Sequence, residues 1–223
     1  MLDALGQILP IGIGVALSPM PIIAVVLMLV SARARVNGPM FMVGWLLGMI
    51  VVGGIVFLLA GPAGATDHGQ PATWVGWFKI ALGALLLLLA VKQFRGRPHE
   101  GEEVAMPKWM AAIDSFTPVK SAGIAALLSG VNPKNLLLII AAATTIAATG
   151  ISGVEQAAVY GVFCLIGTIG VAIPVVVYFS LGDRAPAVLG RMQTWMAKEN
   201  AVIMSVIILV IGAKVLGDGL STV

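Results

Sequence analysis

The chain has 223 residues, 59% of them apolar and only 10% charged, with a formal net charge of +3. A soluble domain usually carries about 25% charged residues, and one of this size cannot hide so much apolar surface. The balance excludes a soluble enzyme, a nucleic-acid binder, a disordered chain and, with Cys164 as the single cysteine, a disulfide scaffold.

What remains is an all-α membrane protein. Six apolar segments are predicted, near 5–30, 40–60, 74–91, 121–148, 157–181 and 201–216. The opening Met1-Leu2-Asp3 lacks the positive region of a secretory signal, and the apolar run behind it is too long for a signal core, so no cleaved leader is expected. Spans one and four exceed the length a bilayer needs, and each carries helix breakers near its middle. Between spans, Asn37-Gly38-Pro39, Gly61-Pro62, Gly150 to Gly153 and Gly182 to Pro186 supply turn chemistry.

Charge sets the predicted orientation. Arg33 and Arg35 follow span one; Lys92, Arg95, Arg97, Lys108 and Lys120 follow span three; Arg184, Arg191 and Lys198 follow span five. The alternate connections, 61–73 and 149–156, hold no Lys or Arg. Positive connections stay in the cytoplasm, which puts both termini outside. Trp45, Trp74, Trp77, Trp195 and Tyr178 fall toward span ends and suit interfacial anchoring.

The linker 93–120 separates two three-span units, 1–92 and 121–223. Within it, Glu100, Glu102 and Glu103 form a solvated turn, and Pro107 opens a short helix with Trp109, Ile113 and Phe116 on one face. With Lys108 and Asp114 alongside, that helix lies either in the headgroup layer or against the cytoplasmic end of the bundle.

The two units align. Ser18-Pro19-Met20-Pro21-Ile22 falls on Asn132-Pro133-Lys134-Asn135-Leu136, Gly44 and Gly53 on Gly161 and Gly170, and Lys92 on Lys214. Three spans is an odd number, so the second unit is inverted, and paired interrupted spans point to a transport site at the repeat interface. Proline removes a backbone donor and frees carbonyls, which in hydrocarbon need protein or water partners. New helix N-termini at such breaks attract anions.

Lys134 lies about 13 residues, or roughly 20 Å, into span four, near mid-membrane. A cation there is a functional hypothesis by default, and no span interior offers it a carboxylate. Either the amine bonds carbonyls freed by the break, or it receives an anionic substrate group. Ser18, Pro19, Pro21, Asn132, Pro133, Lys134 and Asn135 form the expected substrate site, with Thr144 and Thr145 as further neutral donors. The set lacks carboxylate or thiolate ligands for a metal, so no metal and no cofactor are expected. His68 and His99 fall on opposite sides of the membrane, Cys164 has no neighbouring base, and catalysis is not expected. Lys79 and Lys214 sit near the outer ends, where their stems reach the headgroups.

The Ser18-Pro19-Met20-Pro21 break, Asn132-Pro133-Lys134-Asn135, and the linker from Pro107-Lys108-Trp109-Met110 to Thr117-Pro118 resemble the lysine-exporter (LysE) superfamily, and within it the GAP family of lipid-addressing proteins. The resemblance covers essentially the whole chain. It implies two inverted three-span repeats and an exporter of glycolipid-like or sulfolipid-like molecules. Amino-acid exporters of the superfamily carry Pro-Gly-Pro in span one; Met20 stands at that glycine, which favours the lipid branch. The expected function is alternating-access export or flipping of an anionic amphipathic lipid, in a homodimer or a larger export complex. Efflux of an amino acid or other small metabolite, and a non-transporting scaffold for lipid synthesis, are the alternatives.

Overall fold

The computed structural model describes residues 1–60, 66–67, 70–96 and 108–223. The Glu100, Glu102 and Glu103 turn, Pro107, His68 and His99, and the side chains of Lys108, Trp109 and Asp114 lie outside the described residues. Eight α-helices are described: α1 (Leu2–Ala16), α2 (Pro19–Leu29), α3 (Ala34–Ala60), α4 (Thr73–Arg95), α5 (Pro118–Gly130), α6 (Pro133–Ala147), α7 (Gly153–Leu181) and α8 (Ala185–Leu220). The only strands among the described residues are two-residue pieces paired antiparallel, Thr66 opposite Pro71 and Asp67 opposite Gln70.

Four stretches, Ala34–Ala60, Thr73–Arg95, Gly153–Glu199 and Ala201–Leu220, are long and apolar enough to cross a bilayer. Two further pairs pass the same test jointly: α1 with α2, bent by 50°, and α5 with α6, bent by 64°. The described residues therefore carry 4 to 6 candidate spans and fit a multi-pass membrane protein. Leu58, Leu88 and Leu165 are each at least two-thirds exposed, a belt that suits lipid contact.

Both bends fall where proline predicts them. Ser18 and Asn132 are N-caps, and Pro19 and Pro133 occupy the first helical turn, where a missing N–H breaks no bond inside the new helix. Bend and restart are one event seen from either side.

Small residues fix how the bent pairs pack. Gly44 and Gly48 of α3 lie on the backbone of α5 at Ala122 and Ala126, and Gly130 of α5 meets Val52 of α3. Equivalent contacts join α1 to α7, with Gly170 on the Ala16 carbonyl and Gly167 against Val15. α4 and α8 run antiparallel through Gly83 on Leu216 and Gly212 on Leu86. Absent side chains allow such close backbone approach.

Two polar bonds lock α3 to α7. Trp45 Nε1 donates to the Gly167 carbonyl at 3.2 Å, and the Tyr160 hydroxyl donates to the Met49 carbonyl at 2.5 Å. Trp45 is therefore no interfacial anchor: it is fully buried and stacks on Phe41. Trp74, Trp77 and Trp195 are exposed, as an anchoring role requires.

The largest departure from the expected elements is α8. The predicted sixth span began at 201, yet the helix starts at Ala185, one 3-10 turn after α7. Arg191, Lys198 and Glu199 interrupt the apolar window without interrupting the helix, because Leu189 and Met196 turn inward and no breaker intervenes. At its other end α8 runs past the predicted 216 to Leu220, which brings Asp218 into the last turn, where it pairs with Lys214 at 2.5 Å. Lys79, expected to reach the headgroups, is buried instead.

The linker helix is a 3-10 segment, Lys108–Ser115. Met110 and Ile113 are buried in the main core and the segment packs on α2, so of the two expected placements it takes the bundle end. Asn37 Nδ2 donates to the Phe116 carbonyl at 3.0 Å, and Ser121 Oγ to the Asn37 carbonyl at 2.7 Å, tying the linker to α3 and α5.

At the opposite end of the bundle, Ser152 and Glu155 form a reciprocal capping box at the start of α7. Ser152→Ala should remove about 1 kcal/mol of local stability. Hydrogen exchange at residues 153–156 should then quicken about fivefold with the α7 centre unchanged; equal protection would show the cap to be inert.

Candidate functional site

The break between α1 and α2 frees carbonyls at the end of α1, those of Gly14 and Val15 among them. Pro19 has no N–H for the Val15 carbonyl, and Ser18, outside helical geometry, gives none to Gly14. Side chains replace both. Ser18 Oγ bonds the Val15 carbonyl at 2.6 Å, and Lys134 Nζ donates to the Gly14 carbonyl at 2.8 Å.

The break between α5 and α6 follows the same logic. Asn132 N donates to the Leu127 carbonyl, which leaves the Leu128 carbonyl to accept from Asn135 Nδ2 at 2.9 Å. In the repeat alignment Gly14 corresponds to Leu128, so the equivalent freed carbonyl takes a side-chain donor in each half. Both donors come from the second break.

The two breaks are joined directly. Lys134 Nζ donates to Ser18 Oγ at 2.5 Å, and Ser18 Oγ lies 3.0 Å from Asn135 Oδ1. The hydroxyl carries one proton, so it serves Val15 or Asn135 in turn while accepting from the amine. Asn132 Oδ1 accepts from Lys134 N at 3.1 Å, capping α6. Ser18, Lys134 and Asn135 are all buried.

Lys134 thus has two good acceptors, both neutral. Its remaining direction holds Met204 Sδ at 3.7 Å, a weak acceptor. The one ion pair among the described residues is Lys214 with Asp218, so no described carboxylate balances the Lys134 charge.

Beside the amine lies a cavity of about 410 Å³. All seven expected site residues, Ser18, Pro19, Pro21, Asn132, Pro133, Lys134 and Asn135, line it. Beyond these and Met20 of the same motif, sequence reasoning missed Leu89, Lys92, Gln93 and Gly96 toward the end of α4, and Met204 and Ile208 from α8. Lys92 had drawn notice as an orientation charge and as the repeat partner of Lys214. Thr144 and Thr145 are buried farther along α6 and do not line the cavity. Away from α4's end, Gly14 packs against the apolar side chains of Leu138 and Ile211.

Such a space suits a sugar-sized polar group with one negative charge, and lies within the usual range for small-ligand sites. It is too small for acyl chains. Among the described residues no group of three His, Cys, Asp or Glu is placed to hold a metal.

A family model described as Sap, sulfolipid-1-addressing protein, matches residues 8–221. The chain belongs to that family. The match spans both breaks and the linker, so every cavity residue of this Sap-family chain lies inside it. No curated protein and no solved structure matches the chain. The family's description names a sulfolipid, an anionic amphiphile, which is compatible with a lipid-related role in the membrane.

Proposed function

We propose that this Sap-family protein moves an anionic amphipathic lipid, of the sulfolipid or glycolipid kind, outward across the bacterial cytoplasmic membrane by alternating access. The observation that carries the reading is the Lys134 amine, buried against neutral partners only and lining a cavity of about 410 Å³. A charge in that setting is costly unless something negative visits it. The head group enters the cavity and meets Lys134, Ser18 and Asn132, while Lys92 at the end of α4 draws it in and acyl chains stay in lipid.

Six crossings in two inverted repeats are part of the same proposal. α5 begins beside Arg33 to Val36 at the start of α3, and α6 ends against Ala60 and Val75 at the opposite end. We read a segment that traverses between ends as a broken span. α2 ends with Leu29 on Gly38, at the same end where α5 starts. Each bent pair also lies on the long helix of the other half, α5 on α3 and α1 on α7, the exchange that a two-fold related pair of units makes. With positive connections inside, both termini are outside and the cavity faces the cytoplasm. Membership of the LysE superfamily and the GAP branch belongs to the same proposal, as do a homodimer or larger export complex as the working unit, the absence of enzymatic activity and the lack of nucleic-acid partners.

The test is transbilayer movement in vesicles containing the purified full chain. A fluorescent sulfated glycolipid should cross at least about tenfold faster than in empty vesicles, and a neutral analogue with the same chains should gain little. Equal rates for both lipids, or release of a preloaded amino acid without lipid movement, would overturn the proposal in favour of scrambling without charge selection or of metabolite efflux.

A further inference from the structure

A second basic hollow lies apart from the cavity. Where α2 turns into α3, Arg33, Arg35 and Val36 line a space of about 520 Å³ closed by Pro118 at the start of α5 and Tyr178 near the end of α7. Both guanidinium groups are exposed, and among the described residues neither has a carboxylate at ion-pairing distance. The half-buried Tyr178 ring packs edge-on against Phe179, and its hydroxyl makes none of the hydrogen bonds found among the described residues. Asp183, the nearest acid in sequence to that helix end, does not line the hollow.

The apolar surroundings fix its level. Val30, Val36 and Val119 are half exposed or more, and Leu181 ends α7 one turn beyond Tyr178. Arginine stems in such a place lie along hydrocarbon while their forks reach the headgroup layer. Two arginines lining one hollow suit the oxygens of a phosphate, which guanidinium binds in a bidentate manner. The positive end of α3 adds to the same field.

We infer that this hollow is a headgroup site for an anionic phospholipid of the cytoplasmic leaflet, separate from the Lys134 cavity. Arg33 and Arg35 hold the phosphate, Tyr178 donates to a headgroup oxygen, and the acyl chains run along Val36 and Val119. The ligand bridges the ends of α3, α5 and α7, and so steadies α5, the helix that leads into the second break.

The full-length protein in neutral detergent is titrated with short-chain phosphatidylglycerol, short-chain phosphatidylcholine and inorganic phosphate, and native mass spectrometry counts bound ligand. Phosphatidylglycerol should bind at least about tenfold more tightly than phosphatidylcholine. The double variant R33Q/R35Q should weaken it about 30-fold, the equivalent of about 1 kcal/mol for each arginine. R191Q removes an exposed charge elsewhere and should change the affinity less than about twofold. Lys134→Gln alters the transport cavity and should not reproduce the loss seen in R33Q/R35Q, which separates the two sites.

Equal binding of the two lipids, an unaltered R33Q/R35Q variant, or an equal loss in R191Q or Lys134→Gln would overturn the assignment. Inorganic phosphate binding as tightly as phosphatidylglycerol would also overturn it, since the site would then belong to a soluble anion.

Discussion

Lys134→Gln is expected to slow movement of the anionic lipid about 100-fold while the protein stays folded. A hydrogen bond to a charged group contributes about 1.5–3 kcal/mol, or roughly 10–150-fold in an equilibrium, and the cavity has one buried cation to give. The structural cost is smaller. The substitution weakens the bonds to the Gly14 carbonyl and Ser18 Oγ, each worth about 0.6 kcal/mol on average within a membrane bundle. Lys134→Arg keeps the charge and should retain a measurable part of the rate. The decisive comparison is between lipids: the Gln variant should lose selectivity for the anionic substrate over its neutral analogue. If both lipids slow together, the amine serves only to close the α1 break, and the substrate role fails. Unfolding midpoints measured in the same detergent separate either result from misfolding.

What could be read from the sequence follows from which residues act alone. Proline removes a helix donor, and Pro19 and Pro133, each behind a capping residue, mark both bends, whereas Pro10, Pro39 and Pro174 sit inside helices that run on through them. Asn132 and Ser18 before them have the chemistry of caps, and a lysine at that depth needs acceptors, which the breaks provide. Facing was not legible. Spans this apolar on all sides carry almost no amphipathic signal, so nothing separated Met204 and Ile208, which line the cavity, from exposed neighbours such as Val206 and Leu209. Trp45 was misplaced for the same reason: an aromatic a few residues inside a span can anchor to lipid or fill the core, and only packing against Phe41 and Gly167 decides. The extension of α8 was hidden because a hydropathy window ends at charge, whereas a helix ends at a broken hydrogen-bond ladder. Asn37 Oδ1, a buried oxygen without a partner among the described residues, marks another place that spacing alone would not have flagged.

Gly44 and Gly161 occupy equivalent positions in the two halves by sequence, and they should respond oppositely to alanine. At Gly44 an added methyl group collides with the backbone carbonyl of Ala122, which cannot move without displacing α5. At Gly161 nothing lies within 4 Å. Replacing glycine by alanine inside a helix gains up to about 1 kcal/mol, so Gly161→Ala should be neutral to stabilising. Gly44→Ala has the same gain set against an overpacking cost of about 1–3 kcal/mol or more, and should come out destabilised by about 2 kcal/mol. Unfolding in mixed micelles would show it as two midpoints displaced in opposite directions from the parent. The effect should reach the site as well, because α5 leads straight into Asn132 and the Leu128 carbonyl that Asn135 holds. Gly170 against the Ala16 carbonyl does the same for α1 just before Ser18, so each break is held by a close glycine contact on the helix entering it. If Gly44→Ala and Gly161→Ala melt together, the α3–α5 contact is looser than described and the breaks lack that clamp. If only Gly44→Ala falls, and lipid movement falls with it, the geometry that presents Lys134 is set by how closely two backbones approach.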